Sequence, residues 1–160
     1  MLEGLKTVRF AGALMLAATQ AAFAAELRVC GDPVRPCAGF KEHDLSFPLP
    51  ADGKARAEVR SAAFFAVILE TAERCRVEEL RRREIQALFP RNKVFATRFE
   101  CDDDPGNNVR YTNVDAKRGF IAVYAGENRT AAGELLARAK ELERFPGANL
   151  RRMQVVFVHP

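Results

Sequence analysis

Two short apolar runs, Ala62 to Leu69 and Phe120 to Ala125, punctuate the chain, and each is followed by a stretch with helical spacing. Runs this rich in Phe, Val and Ile fit central strands covered on at least one face. After the first run, Glu70-Thr71-Ala72-Glu73 predicts a helix start, with Thr71 as cap and acidic residues at the positive end of the helix dipole. Val77, Leu80, Ile85 and Leu88 share one arc of that helix, Arg76, Arg81, Arg82 and Arg83 lie largely outside it, and Pro90 ends it. After the second run, Asn128 predicts the cap of a helix whose inner face carries Ala132, Leu135, Leu136, Ala139 and Leu142. Phe145-Pro146-Gly147 stops it.

Two further strands complete the pattern, Lys93 to Cys101 by alternation and Leu150 to Val158 at the end, while Val109 to Val114 predicts a short strand extending the central hairpin. Asp102 to Asn108 is a turn by composition and lacks the spaced ligands of a calcium loop. The two halves also match at a constant offset of 56. Phe64, Ala66, Val67, Glu78, Leu80, Arg82, Phe89 and Pro90 recur as Phe120, Ala122, Val123, Glu134, Leu136, Arg138, Phe145 and Pro146, eight identities in 27 pairs. A fixed-period repeat signals one supersecondary unit used twice. The order βαββαβ gives an α+β, ferredoxin-like domain over residues 62–160. It has a four-stranded antiparallel sheet, both helices on one face and the other face open.

The N-terminus changes the compartment. Lys6 and Arg9 precede an apolar stretch from Phe10 to Ala21, and Ala22-Phe23-Ala24 fits a cleavage site, so residues 1–24 are expected to be a signal peptide cleaved after Ala24. The apolar stretch is too short to span a bilayer. The mature chain would hold 136 residues (160 − 24) with a net charge of +3, after loss of Glu3, Lys6 and Arg9 from a chain of +4. Mild positive charge favours anionic partners, and export to the periplasm removes nucleic acid from consideration. Residues 25–61 lack sustained periodicity and form an N-terminal arm, with Phe47-Pro-Leu-Pro50 extended and apolar enough to act as a lid over the sheet.

Four cysteines in an exported chain imply two disulfides, with three pairings possible. In a βαβ unit Cys75 at the helix start and Cys101 at the end of the second strand share one end of the sheet, which favours that bridge and leaves Cys30 to pair with Cys37. The other pairings would tie the arm to the domain. No Cys or His spacing suits a metal, and no nucleophile and base fall together, so a non-catalytic protein without cofactor is expected.

Alternation along the strands selects the residues of the open face. Arg152, Gln154 and Val156 fall on one side of the last strand and Met153, Val155 and Phe157 on the other. The same logic turns Arg98 outward, together with Phe120, Ala122 and Tyr124 and, through the repeat, Phe64, Ala66 and Ile68. An apolar platform edged by arginines can pack on sugar C–H groups and donate to hydroxyls and carboxylates. The other reading is an interaction module whose sheet face is covered by the arm or by a partner.

Gly119-Phe-Ile-Ala-Val-Tyr-Ala-Gly126, the capped helix with Ala132, Leu135 and Leu136, and Phe145-Pro-Gly-Ala-Asn-Leu-Arg-Arg-Met153 resemble the second half of a SPOR (sporulation-related repeat) domain. The likeness extends over about Phe64 to Val158. It implies a fold of two βαβ-like repeats and binding of peptidoglycan, in particular glycan strands stripped of stem peptides. A periplasmic or division protein is the partner expected under the interaction-module reading. The first strand lacks the Gln that often stands on the binding face of such domains.

Overall fold

The computed structural model describes residues 33–35, 42–47, 58–73, 76–97 and 109–158. The expected signal peptide, all four cysteines, Arg98, the 102–108 turn and Pro48 to Pro50 lie outside the described residues. The described elements are β1 (Glu58–Arg60), β2 (Phe64–Glu73), α1 (Glu79–Leu88), β3 (Val94–Ala96), β4 (Val109–Tyr111), β5 (Arg118–Tyr124), α2 (Arg129–Glu141), β6 (Asn149–Met153) and β7 (Val155–Val158).

The protein is α+β with two antiparallel sheets. One has four strands in the order β3-β5-β2-β6, the other three in the order β1-β7-β4. Alternation along the central strands splits their apolar residues between two cores. Val67, Leu69, Ile121, Val123, Val94 and Ala96 pack with Ile85, Leu135, Ala139, Phe89 and Phe145 beneath the two helices. Phe64, Ala66, Ile68, Phe95, Phe120 and Ala122 form the other core with Met153 of β6, with Val59, Val155 and Phe157 of the second sheet and with Leu45 and Phe47. Burying a Phe fully is worth about 1.5–3 kcal/mol, so neither face could stay bare cheaply.

The first helix begins later than its capping signal. β2 runs on to Glu73, still paired with β5 as far as Glu73↔Arg118, and Thr71 is a strand residue rather than a cap. A bulge between Ile68 and Glu70 places Glu70 on the helix side, where Arg81 pairs with it from α1. With the helix starting at Glu79, the inward positions are Arg82 and Ile85, and Leu80 is 68% exposed. The second helix starts where its cap predicts, with Asn128 Oδ1 accepting from the Thr130 and Ala131 amides at 2.8 and 3.1 Å. Its expected inner residue Leu142 is the C-cap and is exposed. The strand identities of the 56-residue offset occupy matching environments, as do Phe89 and Phe145, whose rings meet at 6.2 Å. Two pairs between them differ: Arg82 is buried and Arg138 exposed, and Leu80 is exposed and Leu136 half-buried.

Two expectations for the later strands are corrected. Val109–Tyr111 pairs with β7 and not with the central hairpin, and the last strand is two strands, broken at Gln154. The chain changes sheets there, as does its antiparallel neighbour between β1 and β2, so one bent ribbon supplies both layers. Ser61 pins the bend. Its Oγ accepts from the Val155 amide at 2.9 Å and donates to the Ala62 carbonyl at 2.8 Å, and Gln154 Nε2 donates to the Ser61 carbonyl at 2.9 Å. Ser61→Ala leaves the buried Val155 N–H without that acceptor. It is expected to lower stability by about 1–3 kcal/mol in urea denaturation, against a few tenths for an exposed serine-like site such as Thr130→Ala.

Candidate functional site

Phe64, Ala66, Ile68, Phe120 and Ala122 turn away from the helices as the alternation predicts, and all five are buried. The face is therefore not open, because β1, β4, β7 and residues 42–47 lie over it. Phe47 stacks on Phe64 at 5.2 Å and meets Tyr124 edge-on at 6.4 Å. From the other side Tyr111 packs on Phe95 at 5.2 Å and on Phe120 at 5.5 Å. The expected parity of the β3 strand is reversed: Val94 and Ala96 face the helices, and Phe95 occupies the side assigned to Arg98. Arg152 is exposed, and Gln154 is spent on the corner at Ser61.

The arm is held at three levels. Glu42 pairs with Arg82 at 3.2 Å and with Arg83 at 3.7 Å. The Ala96 amide donates to the His43 carbonyl at 3.2 Å, which caps the outer edge of β3. Leu45 and Phe47 then enter the core. Arg82 anchors this corner from inside the fold, fully buried, with Nη1 donating to the Val94 carbonyl at 3.1 Å and Nε to the Glu79 carboxylate at 2.9 Å. Burial pushes the Glu79 carboxyl up, but hydrogen bonds and charge from Arg82 and then Arg83 outweigh it and hold its pKa below the ordinary value.

One polar atom under the cover is unsatisfied. The Tyr111 hydroxyl is buried without a hydrogen-bond partner among the described residues. Burial, then the nearby Asp44 charge, pushes its phenol far above the ordinary range; the Leu45 backbone offsets little of this and does not complete a hydrogen bond.

Beyond the cover, the same side of the four-stranded sheet opens into a groove of about 490 Å³. Its floor is Ile68, Phe120 and Val114, and its rim carries Thr71, Asn113, Asn149, Asp115, Arg118 and Arg151. Gly119 stands at its base, where an added Cβ would lie 2.5 Å from Val77 Cγ2, so only glycine lets β5 approach the Val77 segment this closely. Asn113 adopts a left-handed φ of 58° at the turn before β5, and its Nδ2 donates to the Arg152 carbonyl at 3.1 Å. Arg118 Nη2 donates to Thr71 Oγ1 at 3.1 Å, and Arg151 Nε to Asn149 Oδ1 at 2.9 Å.

Of the nine residues selected from sequence, the groove brings together Ile68 and Phe120. The polar rim was missed, although its signal was present: Asn149, Arg151 and Met153 share one side of β6, the side first assigned to the helices because Met153, Val155 and Phe157 are apolar. With both faces buried, apolar parity no longer tells which layer is which. No cluster of His, Cys, Asp or Glu suited to a metal ion, and no helix long and apolar enough to cross a membrane, occurs among the described residues.

Two tests probe the cover. Phe47→Ala is expected to cost about 3–5 kcal/mol and to raise binding of a hydrophobic dye as Phe64 and Tyr124 become accessible. Because the folded-state pKa of Glu79 lies below the unfolded one, its stabilisation is complete above the ordinary carboxylate value of 4.5 and is lost as pH falls below it. Glu79→Gln should therefore flatten the acid-side decline of thermal midpoint with pH, while the unmodified protein keeps it.

Comparison with models of known protein families finds no match to this chain, and comparisons with curated proteins and with solved structures find none either.

Proposed function

We propose that this protein is a non-catalytic, exported module of the bacterial cell envelope that binds glycan strands of peptidoglycan in the groove beside its covered sheet. The observation that carries this reading is the groove itself. An apolar floor lies between amide, hydroxyl and guanidinium groups whose hydrogen-bonding capacity is only partly used. Asn113 spends its Nδ2 on the backbone and keeps Oδ1 as an acceptor, while Thr71 accepts from Arg118 and keeps its O–H as a donor. Sugar hydroxyls both donate and accept, and they suit such a rim. The Arg152 and Gln154 expected on the last strand at the edge of the platform are replaced in this reading by Arg151 and Asn149.

The finer reading of the fold belongs with this proposal. The strand order β3-β5-β2-β6, with the buried residues of both helices in one core, supports a ferredoxin-like unit. Matching environments for Phe64 and Phe120, Ala66 and Ala122, and Val67 and Val123 support its origin as a doubled strand–helix–strand unit, with a SPOR-like domain carrying an added three-stranded cover.

A second reading, a protein-interaction module for a periplasmic or division protein, is favoured by Leu80, which stands 68% exposed at the start of α1. Two measurements separate the readings. Under the glycan reading, purified protein pellets with amidase-treated sacculi and is released as salt rises, because part of the attraction is ionic. Pelleting no greater than that of a control protein, together with capture of one specific protein by a photocrosslinker at Leu80, overturns it in favour of the second.

A further inference from the structure

Two uncompensated guanidinium groups face each other across the groove. Arg118 and Arg151 are anchored through neutral acceptors, the Thr71 hydroxyl and the Asn149 amide oxygen, and neither forms an ion pair with a carboxylate among the described residues. On α1, by contrast, Arg81, Arg82 and Arg83 all pair with glutamates. Each groove arginine is oriented by one hydrogen bond and keeps most of its donors and its whole charge.

The register brings the pair together. Thr71 lies opposite Phe120 and Ile68 opposite Asn149, so β5 and β6 deliver their arginines to the same face from either side of β2. The bulge takes up one of the three residues from Ile68 to Thr71. The two anchors are therefore two residues apart along the strands and one strand apart across them, a separation of about 8 Å. One compact oxyanion that takes a charge-assisted hydrogen bond of about 2.8 Å from each side fills such a gap.

Charge and room narrow the choice of anion. The charged residues lining the groove are Arg118, Arg151 and Asp115, a net of +1 (2 − 1), which matches a singly charged group better than a doubly charged one. The volume of about 490 Å³ lies within the range of small-molecule pockets, roughly 300–1,000 Å³, and far exceeds a bare ion. The gap between the arginines lies over Ile68 and Phe120, so a group held there has space for substituents on both sides. A carboxylate ends its chain and carries one substituent, whereas a phosphodiester carries two and a single charge. We propose that the groove binds the phosphodiester of a polyol, its two non-bridging oxygens shared between Arg118 and Arg151. The flanking hydroxyls then meet Asn113 Oδ1 and the Thr71 O–H, the groups left unspent on the rim. This goes beyond the glycan reading, because it rests on the two guanidinium groups and stands whether or not a sugar chain also enters the groove. A phospholipid headgroup and a soluble polyol phosphodiester present the same chemistry.

The test titrates the full chain near neutral pH with three soluble probes, glycerophosphoglycerol, glycerol phosphate and glycerate, at equal ionic strength. The diester should bind at least about tenfold more tightly than the monoester or the carboxylate, the difference expected for one charge-assisted hydrogen bond. Arg118→Gln and Arg151→Gln should each weaken diester binding by at least about tenfold, and the double variant should fall well short of the product because both serve one anion. Arg138→Gln removes the same charge from α2, outside the groove, and should leave binding unchanged. All three side chains are exposed, and the discrimination among probes by the unmodified chain stands even if a variant folds poorly. Sedimentation with vesicles of phosphatidylglycerol in phosphatidylcholine, but not with phosphatidylcholine alone, assigns the diester to a lipid headgroup. Binding of glycerophosphoglycerol without such sedimentation assigns it to a soluble source. Equal binding of the three probes, or an Arg138→Gln loss as large as that of the groove variants, overturns the proposal, and groove variants whose effects multiply overturn the shared anion. Failure of the diester to bind overturns this inference alone, since pelleting with sacculi is measured separately and decides the glycan reading.

Discussion

Everything in this fold follows from two adjacent strands that are apolar on both sides. β2 and β5 bury Val67 and Val123 toward the helices and Phe64, Ala66, Phe120 and Ala122 away from them. An antiparallel sheet commonly leaves one face to water, but that solution is closed to these strands. The chain meets the constraint by bending a single ribbon, so that β1 and β7 continue β2 and β6 into a second layer. The arm closes what the second layer leaves uncovered, and it is fixed by a buried guanidinium as well as by its apolar side chains. Cover and covered strand are therefore made from contiguous stretches of the same chain.

The sequence revealed the central strands and the second helix because local signals and tertiary demands agree there. The Phe120 to Ala125 run is apolar on both faces, and Asn128 caps where it stands. The first helix was misplaced because Glu70-Thr71 satisfies the local rules for a cap, yet seven ladder pairs with β5 hold Thr71 in a strand. The bulge that permits this has no signature that distinguishes it from plain alternation. Helical spacing puts Arg82 outside the apolar arc of its helix. The compensation that lets it be buried comes from Glu79 on its own helix, from the Val94 carbonyl, and from Glu42, which is forty residues away in sequence (82 − 42). The break at Gln154 was invisible for a similar reason. Its cause is Ser61, on the other strand of the ribbon.

The candidate site was legible in kind but not in place. The alternation sought arginine beside apolar sheet residues, and the groove sets Arg118 and Arg151 beside Ile68 and Phe120. The position shifted because the centre of the sheet is occupied by the protein's own side chains, while among the described residues the end near Thr71 and Arg118 stays open. A surface of this kind is small and polar at its rim, and the rigid β2–β5 pair holds its floor in place. It favours recognition by a few directed contacts over broad hydrophobic association.

The chain contains no tryptophan and only two tyrosines, and both lie in the seam between the sheet and its cover. Tyr111 is pressed against Phe95 and Phe120, and Tyr124 against Phe64 and Phe47. The tyrosine emission of the native protein thus comes wholly from that seam. Displacement of the arm or of the second sheet changes the surroundings of one tyrosine or the other, so the molecule carries an optical report of its own closure without any attached label.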